Sequence, residues 1–205
     1  MRVTLRVNIL IIVALLFSSA SAQPSTCDGA AAAAKELMAG PRQSRYEYRG
    51  RYVNLAYYFS VRIPRGLTAY DGRDQPRHNG FVLPLAQESV IFVSGDPNSL
   101  EYKTPREAAK GDVDFLRQPG RVIESEKITE ARLGTLNAAI LLVTYTCQGS
   151  AERHVRSSLS ALSANKEFLY QLELNSTANR YESDHAVMDQ LIKSWMIRSR
   201  STRQR

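Results

Sequence analysis

Two cysteines, one tryptophan and three histidines are all that 205 residues supply of several side chains that commonly carry chemistry. No G-x-S-x-G nucleophile elbow, no H-E-x-x-H pair, no paired C-x-x-C and no phosphate-binding glycine loop occurs. The reactions those motifs announce are therefore not written in this chain. No metal site or cofactor is expected either. Long apolar runs are equally scarce. The run "NILIIVALLF" at 8–17 is too short to span a bilayer. Arg2 and Arg6 precede it, and "SSASA" follows with small residues at Ala20 and Ala22. That three-part pattern is a secretory signal peptide, with cleavage expected between Ala22 and Gln23. "PST" before Cys27 lacks the apolar and small residues of a lipid-attachment site, so an exported chain, periplasmic or secreted, is expected.

An excess of one charge is also missing where it would matter. The formal net charge is +7, but Arg2 and Arg6 sit in the signal, and Arg198, Arg200, Arg203 and Arg205 sit in the tail. Residues 23–197 hold 21 basic against 20 acidic side chains. A nucleic-acid binder carries its positive charge as a stripe on the fold, so nucleic acid is not expected as a partner. Contact with an anionic membrane is expected only through the arginine tail. In an oxidising compartment the two cysteines, Cys27 and Cys147, are expected to form a disulfide. Closing so long a loop is worth about 4–5 kcal/mol in the chain-entropy account.

What is present reads as alternating strands and two amphipathic helices. "CDGAAAAAKELMAGP" predicts a short helix capped by Asp28 and ended by Gly40 and Pro41. Tyr57, Phe59, Val61 and Ile63 alternate with Tyr58, Ser60 and Arg62, which predicts a half-buried strand closed by Pro64. "GFVLPLA" and "SVIFVSG" form a hairpin whose first strand, carrying Pro84, is expected at an edge or at a bulge. Thr104 and Pro105 open a helix with Ala109, Val113 and Leu116 on one face, and Gln118-Pro119-Gly120 ends it. "RVIESEKITEARLG" reads as an irregular strand. "LNAAILLVTYTC", "RHVRSSLSAL" and "EFLYQLEL" follow as an antiparallel meander. Tyr181, His185, Met188, Ile192 and Trp195 lie at helical spacing over about four turns. Asn175-Ser176-Thr177 fits the N-glycosylation pattern and is expected to lead into that helix.

Three stretches carry a family resemblance: Y-x-F-x-V-x-I-P-x-G at 57–66, G-T-L-N-A-A at 134–139, and the Ser194-Trp195 pair. With the order of the elements, they resemble the PsbP-like domains, which share a fold with the Ran-binding Mog proteins. The resemblance spans residues 45–197 and implies an α+β fold, an antiparallel β-sheet flanked by helices in an α/β/α sandwich. Residues 1–22 are then the signal, 23–44 an N-terminal helix and linker, and 198–205 a basic tail. The matched residues are structural, so the resemblance speaks to fold and not to activity. "RHNGFVL" also resembles a His-Gly-Phe signature of exported bacterial relatives, with Asn79 inserted between His78 and Gly80.

The loop "DGRDQPRHNG" gathers the best candidates for a site. His78 is the imidazole, Asp71 and Asp74 are carboxylates able to orient it, and Arg73 and Arg77 suit an anionic ligand. All five belong to one loop, so ligand contact is favoured over catalysis. His154 is read as an exposed strand residue and His185 as a half-buried structural one. The composite expectation is a non-enzymatic binding or accessory domain at the cell envelope that engages a protein partner.

Overall fold

The computed structural model describes residues 45–72, 79–85, 89–117 and 119–198. The signal at 1–22, the helix at 28–40, Cys27, Arg73, Asp74, Arg77, His78 and the tail from 199 lie outside the described residues.

In chain order the elements are β1 (Arg45–Tyr48), β2 (Arg51–Asn54), β3 (Phe59–Arg62), β4 (Ala69–Gly72), β5 (Gly80–Pro84) and β6 (Val90–Pro97). Then come α1 (Pro105–Leu116), β7 (Arg121–Leu133), β8 (Leu136–Cys147), β9 (Arg153–Leu162), β10 (Phe168–Thr177), α2 (Tyr181–Ser194) and β11 (Met196–Ile197). Eight strands make one antiparallel sheet in the order β1-β4-β5-β6-β10-β9-β8-β7, and β11-β3-β2 make a second, small one. The expected meander is present as β8, β9 and β10, and β7 carries its expected irregularity between Ile123 and Ser125.

Strand alternation divides the large sheet into two faces. Leu83, Ile91, Val93, Leu159, Ala161, Tyr170, Leu172 and Leu174 point to one face, which is covered by the small sheet and α2 through Phe59, Val61, Met188, Leu191 and Trp195. Ala139, Leu141, Val143, Tyr145 and Cys147 point to the other, where α1 lays down Ala109, Val113 and Leu116. Helix α1 starts as its sequence predicts. Thr104 Oγ1 accepts the Glu107 N–H at 3.2 Å, and Pro105 occupies the first turn, where a missing N–H costs nothing. Gly111 inside it lies against Tyr102, whose hydroxyl would have to shift to admit a Cβ there.

Four expectations change. The strand predicted from Tyr57 begins at Phe59, because Asn54 Oδ1 accepts the N–H groups of Ala56 and Tyr57, each at 3.0 Å, and bends 55–58 into a turn. Strand β5 is internal, not an edge. Pro84 is its last residue and stands where pairing with β4, seen at Tyr70 and Val82, has already ended. Asn175 and Ser176 lie within β10, 2% and 3% exposed, so the glycosylation pattern is folded into the sheet. His154 is not exposed. It is 8% accessible and stacks on Tyr145 with centroids 5.4 Å apart.

Candidate functional site: a basic groove on the small sheet

The small sheet is short, so its geometry can be followed bond by bond. Ile63 donates to Gly50 O at 2.6 Å, which makes that opposed pair a hydrogen-bonded one. Pairs alternate along an antiparallel ladder, so the next pair, Arg51 with Arg62, is not hydrogen-bonded and brings its side chains closer together. The Arg62 N–H therefore points away from β2, toward β11. That strand starts only at Met196, and the Ser194 hydroxyl accepts the Arg62 N–H at 2.9 Å in its place. Trp195 then turns inward and stacks on Phe59, with centroids 4.4 Å and planes 6° apart. This is the physical content of the Ser194-Trp195 pair: one residue closes the ladder, the next closes the core.

Register fixes which side chains face outward. Tyr52, Val61 and Phe59 point into the core, while Arg51, Val53, Ser60, Arg62 and Met196 share the outer face. Two cavities open there. One, of about 480 Å³, is lined by Arg51, Arg62, Gln190, Lys193, Ser194 and Met196. The other, of about 580 Å³, runs from Arg49 through Arg51 and Arg62 to Pro64, Arg65, Leu67 and Thr68. Because both share Arg51 and Arg62, they are two lobes of one groove.

Among the described residues the groove wall holds Arg49, Arg51, Arg62, Arg65 and Lys193 and no carboxylate. Among the described residues no ion pair joins any of these five to an acidic side chain. Their hydrogen bonds are weak or neutral. Arg49 Nε donates to Thr68 Oγ1 at 3.0 Å, and one Arg51 nitrogen donates to Ser60 Oγ at 3.0 Å and to Met196 Sδ at 3.7 Å. Two like charges in direct cross-strand opposition are destabilising, and they persist here with no counter-ion among the described residues. Such a site can hold an anion by charge-assisted hydrogen bonds from planar guanidinium groups.

The expected loop site is only partly placed. Of Asp71, Arg73, Asp74, Arg77 and His78, only Asp71 is described, in β4 opposite Tyr46. Its charge helps keep nearby phenols protonated. Burial, with a smaller contribution from Asp71, pushes Tyr52 up to about 12, and the same causes raise Tyr48. The C-terminal end of the loop is firmly anchored. Asn79 O accepts from Asn54 Nδ2 at 2.9 Å and from Gly95 N at 3.1 Å, and Asn79 Nδ2 donates to Asp96 Oδ1 at 2.9 Å. Gly80 is required beside it, since a Cβ would fall 1.7 Å from Val93 O. Of the other histidines, His185 has its expected half-buried place, beside Tyr181 and with Nδ1 3.7 Å from Asp189 Oδ2. Among the described residues no His, Cys, Asp or Glu group is arranged to hold a metal ion.

In sequence the Tyr- and Arg-dense stretch 42–66, which holds four of these cations, reads as a half-buried strand in preference to a stacking platform for single-stranded nucleic acid, and Lys193 lies far away in α2, so the groove itself is not visible there. The one available signal was the arginine density of "RGRYVN" and "VRIPRG" on either side of a turn. A second missed feature is a buried ion triad under α1. One Arg156 nitrogen lies 3.2 Å from Asp112 Oδ1 and 2.6 Å from Glu173 Oε2, with the arginine side chain 8% exposed.

No protein-family pattern and no curated protein sequence matches the chain. Solved structures do. Cyanobacterial PsbP from Synechocystis sp. PCC 6803 aligns at a TM-score of 0.54 and 12% identity, over 78% of this chain and 95% of that one. LpqN of Mycobacterium tuberculosis, involved in cell envelope biogenesis, aligns at 0.45 and 12% over 81% and 96%. The Ran-binding protein Mog1p of Saccharomyces cerevisiae aligns at 0.44 and 8% over 74% and 96%. The chain has the PsbP-like α+β fold, as its resemblance implied.

Proposed function

We propose that this chain is an exported, non-enzymatic binding domain of the cell envelope that captures an anionic partner in the groove of its small sheet. The observation that carries the reading is the opposed pair Arg51–Arg62, set among Arg49, Arg65 and Lys193 with no carboxylate among the described residues of the wall. Residues 23–197 hold 21 basic and 20 acidic side chains, yet none of the described carboxylates lines this groove. Arg198 N donates to Tyr58 O at 2.7 Å, so the last described residue lies at the start of β3.

Export, cleavage at Ala22–Gln23 and the Cys27–Cys147 bridge belong to the same proposal. Cys147 is 5% exposed at the end of β8 and is not a free thiol, which supports the bridge. The 71–80 loop is the second reading, favoured by the rigid anchoring of Asn79 and Gly80 and by the placement of Asp71 beside Tyr48 and Tyr52.

Titration calorimetry with polyglutamate separates the readings. Arg51→Ser with Arg62→Ser should weaken binding at least ten-fold. Arg73→Ser, Arg77→Ser and His78→Ala together should leave it within two-fold. The opposite ranking would move the site to the loop.

A further inference from the structure

The outer face of the small sheet is not purely cationic. One row across it is Arg51–Arg62. The next, two residues along, is Val53–Ser60–Met196. The rows are about 7 Å apart, twice the rise of a strand residue. Val53 is 39% exposed and Met196 56%, and Leu55 beyond them is 72% exposed. Ser60 is 1% exposed, with Arg51 reaching over it toward the Met196 sulfur. A guanidinium and an open methionine therefore share one spot. An anion seated on Arg51 lies against Met196.

A free phosphate or an anionic polysaccharide satisfies the guanidinium groups but leaves Val53, Leu55 and the open side of Met196 wet. A protein segment uses both rows, because residues i and i+2 of an extended chain lie on one face at the same 7 Å spacing. We infer that the groove takes an extended acidic protein segment in which a carboxylate and a large apolar side chain alternate at i and i+2. The carboxylate meets Arg51 and Arg62, and the apolar group covers Met196 and Val53. This inference rests on the anion-binding reading of the groove and commits it to one class of partner.

The test uses the mature protein and three probes: a nine-residue peptide with the repeat Gly-Glu-Gly-Leu, polyglutamate of equal charge, and vesicles containing anionic phosphatidylglycerol. The peptide is expected to bind at least five-fold more tightly than polyglutamate at matched ionic strength. Val53→Ser with Leu55→Ser, two exposed positions outside the cationic wall, should remove most of that preference while leaving polyglutamate binding within two-fold, and circular dichroism confirms that the variant is folded. Equal affinity for peptide and polyglutamate, or stronger binding to vesicles, overturns this inference and leaves the anion site standing. No binding of any of the three overturns both.

Discussion

Trp195 shows how one residue ties a local signal to the whole core. It ends α2, stacks on Phe59, meets Tyr170 edge-on at 5.7 Å and is 3% exposed. Trp195→Ala should cost about 3–5 kcal/mol, read as a shift of the urea midpoint with an unchanged slope. Tyr52 gives a pH test. Its folded value near 12 lies above its ordinary value of 10.0, so the neutral phenol is favoured in the native state. The stability it contributes is complete below about pH 10 and is lost as pH rises toward 12. The size is about 2–3 kcal/mol at 1.36 kcal/mol per unit. Tyr52→Phe should flatten that alkaline decline, and an unchanged decline would contradict the burial argument. Trp195 was legible in the sequence because an aromatic at helical spacing has few places to go, whereas Tyr52 lies in a four-residue strand too short to show a period. Arg156 was not legible either. Its role depends on Asp112 and Glu173, 44 and 17 residues away, which meet it only once α1 lies on the sheet.

Among the elements, α1 and the β2–β3 hairpin make opposite use of charge. Arg156 ties α1 to β10, inside the protein, and its removal strands two carboxylates in a largely buried place. Arg156→Ala should therefore destabilise by about 3–5 kcal/mol, whereas surface arginines changed to alanine should stay within about 0.5 kcal/mol. The hairpin instead keeps two arginines opposed and unneutralised. Arg62→Thr replaces one with a good strand former and removes the repulsion. It should raise stability by about 0.2–1 kcal/mol while lowering affinity for polyglutamate. A melting temperature that falls would show that Arg62 has a structural role and weaken the case for a site. Element boundaries followed the same logic of legibility. Thr104-Pro105 and the β8–β10 meander were plain from capping and alternation. The turn at 55–58 was not, because the Asn54 side chain overrides an alternation that otherwise runs on unbroken from Tyr57.

For the whole molecule, the sandwich was legible and the groove was not. Alternation and helical spacing report what each element buries, and burial builds the fold. The proposed binding face is assembled from what elements leave exposed, two adjacent strands and the last turn of a helix distant in sequence. Mass spectrometry of the exported protein should give an N-terminus at Gln23 and a mass two hydrogens below the reduced form. A retained Met1 or two free thiols would contradict export with a bridge. Deleting Ser199 to Arg205 should leave the melting temperature nearly unchanged and reduce the salt dependence of anion binding, since each lost cation releases fewer counter-ions. The most direct measurement is a backbone amide NMR titration of the mature protein with polyglutamate. The largest shifts should fall on Arg49 to Val53, Ser60 to Arg65 and Lys193 to Met196, and should fade with added salt. Shifts confined to residues 71–80, or to the tail beyond Arg198, would contradict the groove as the site.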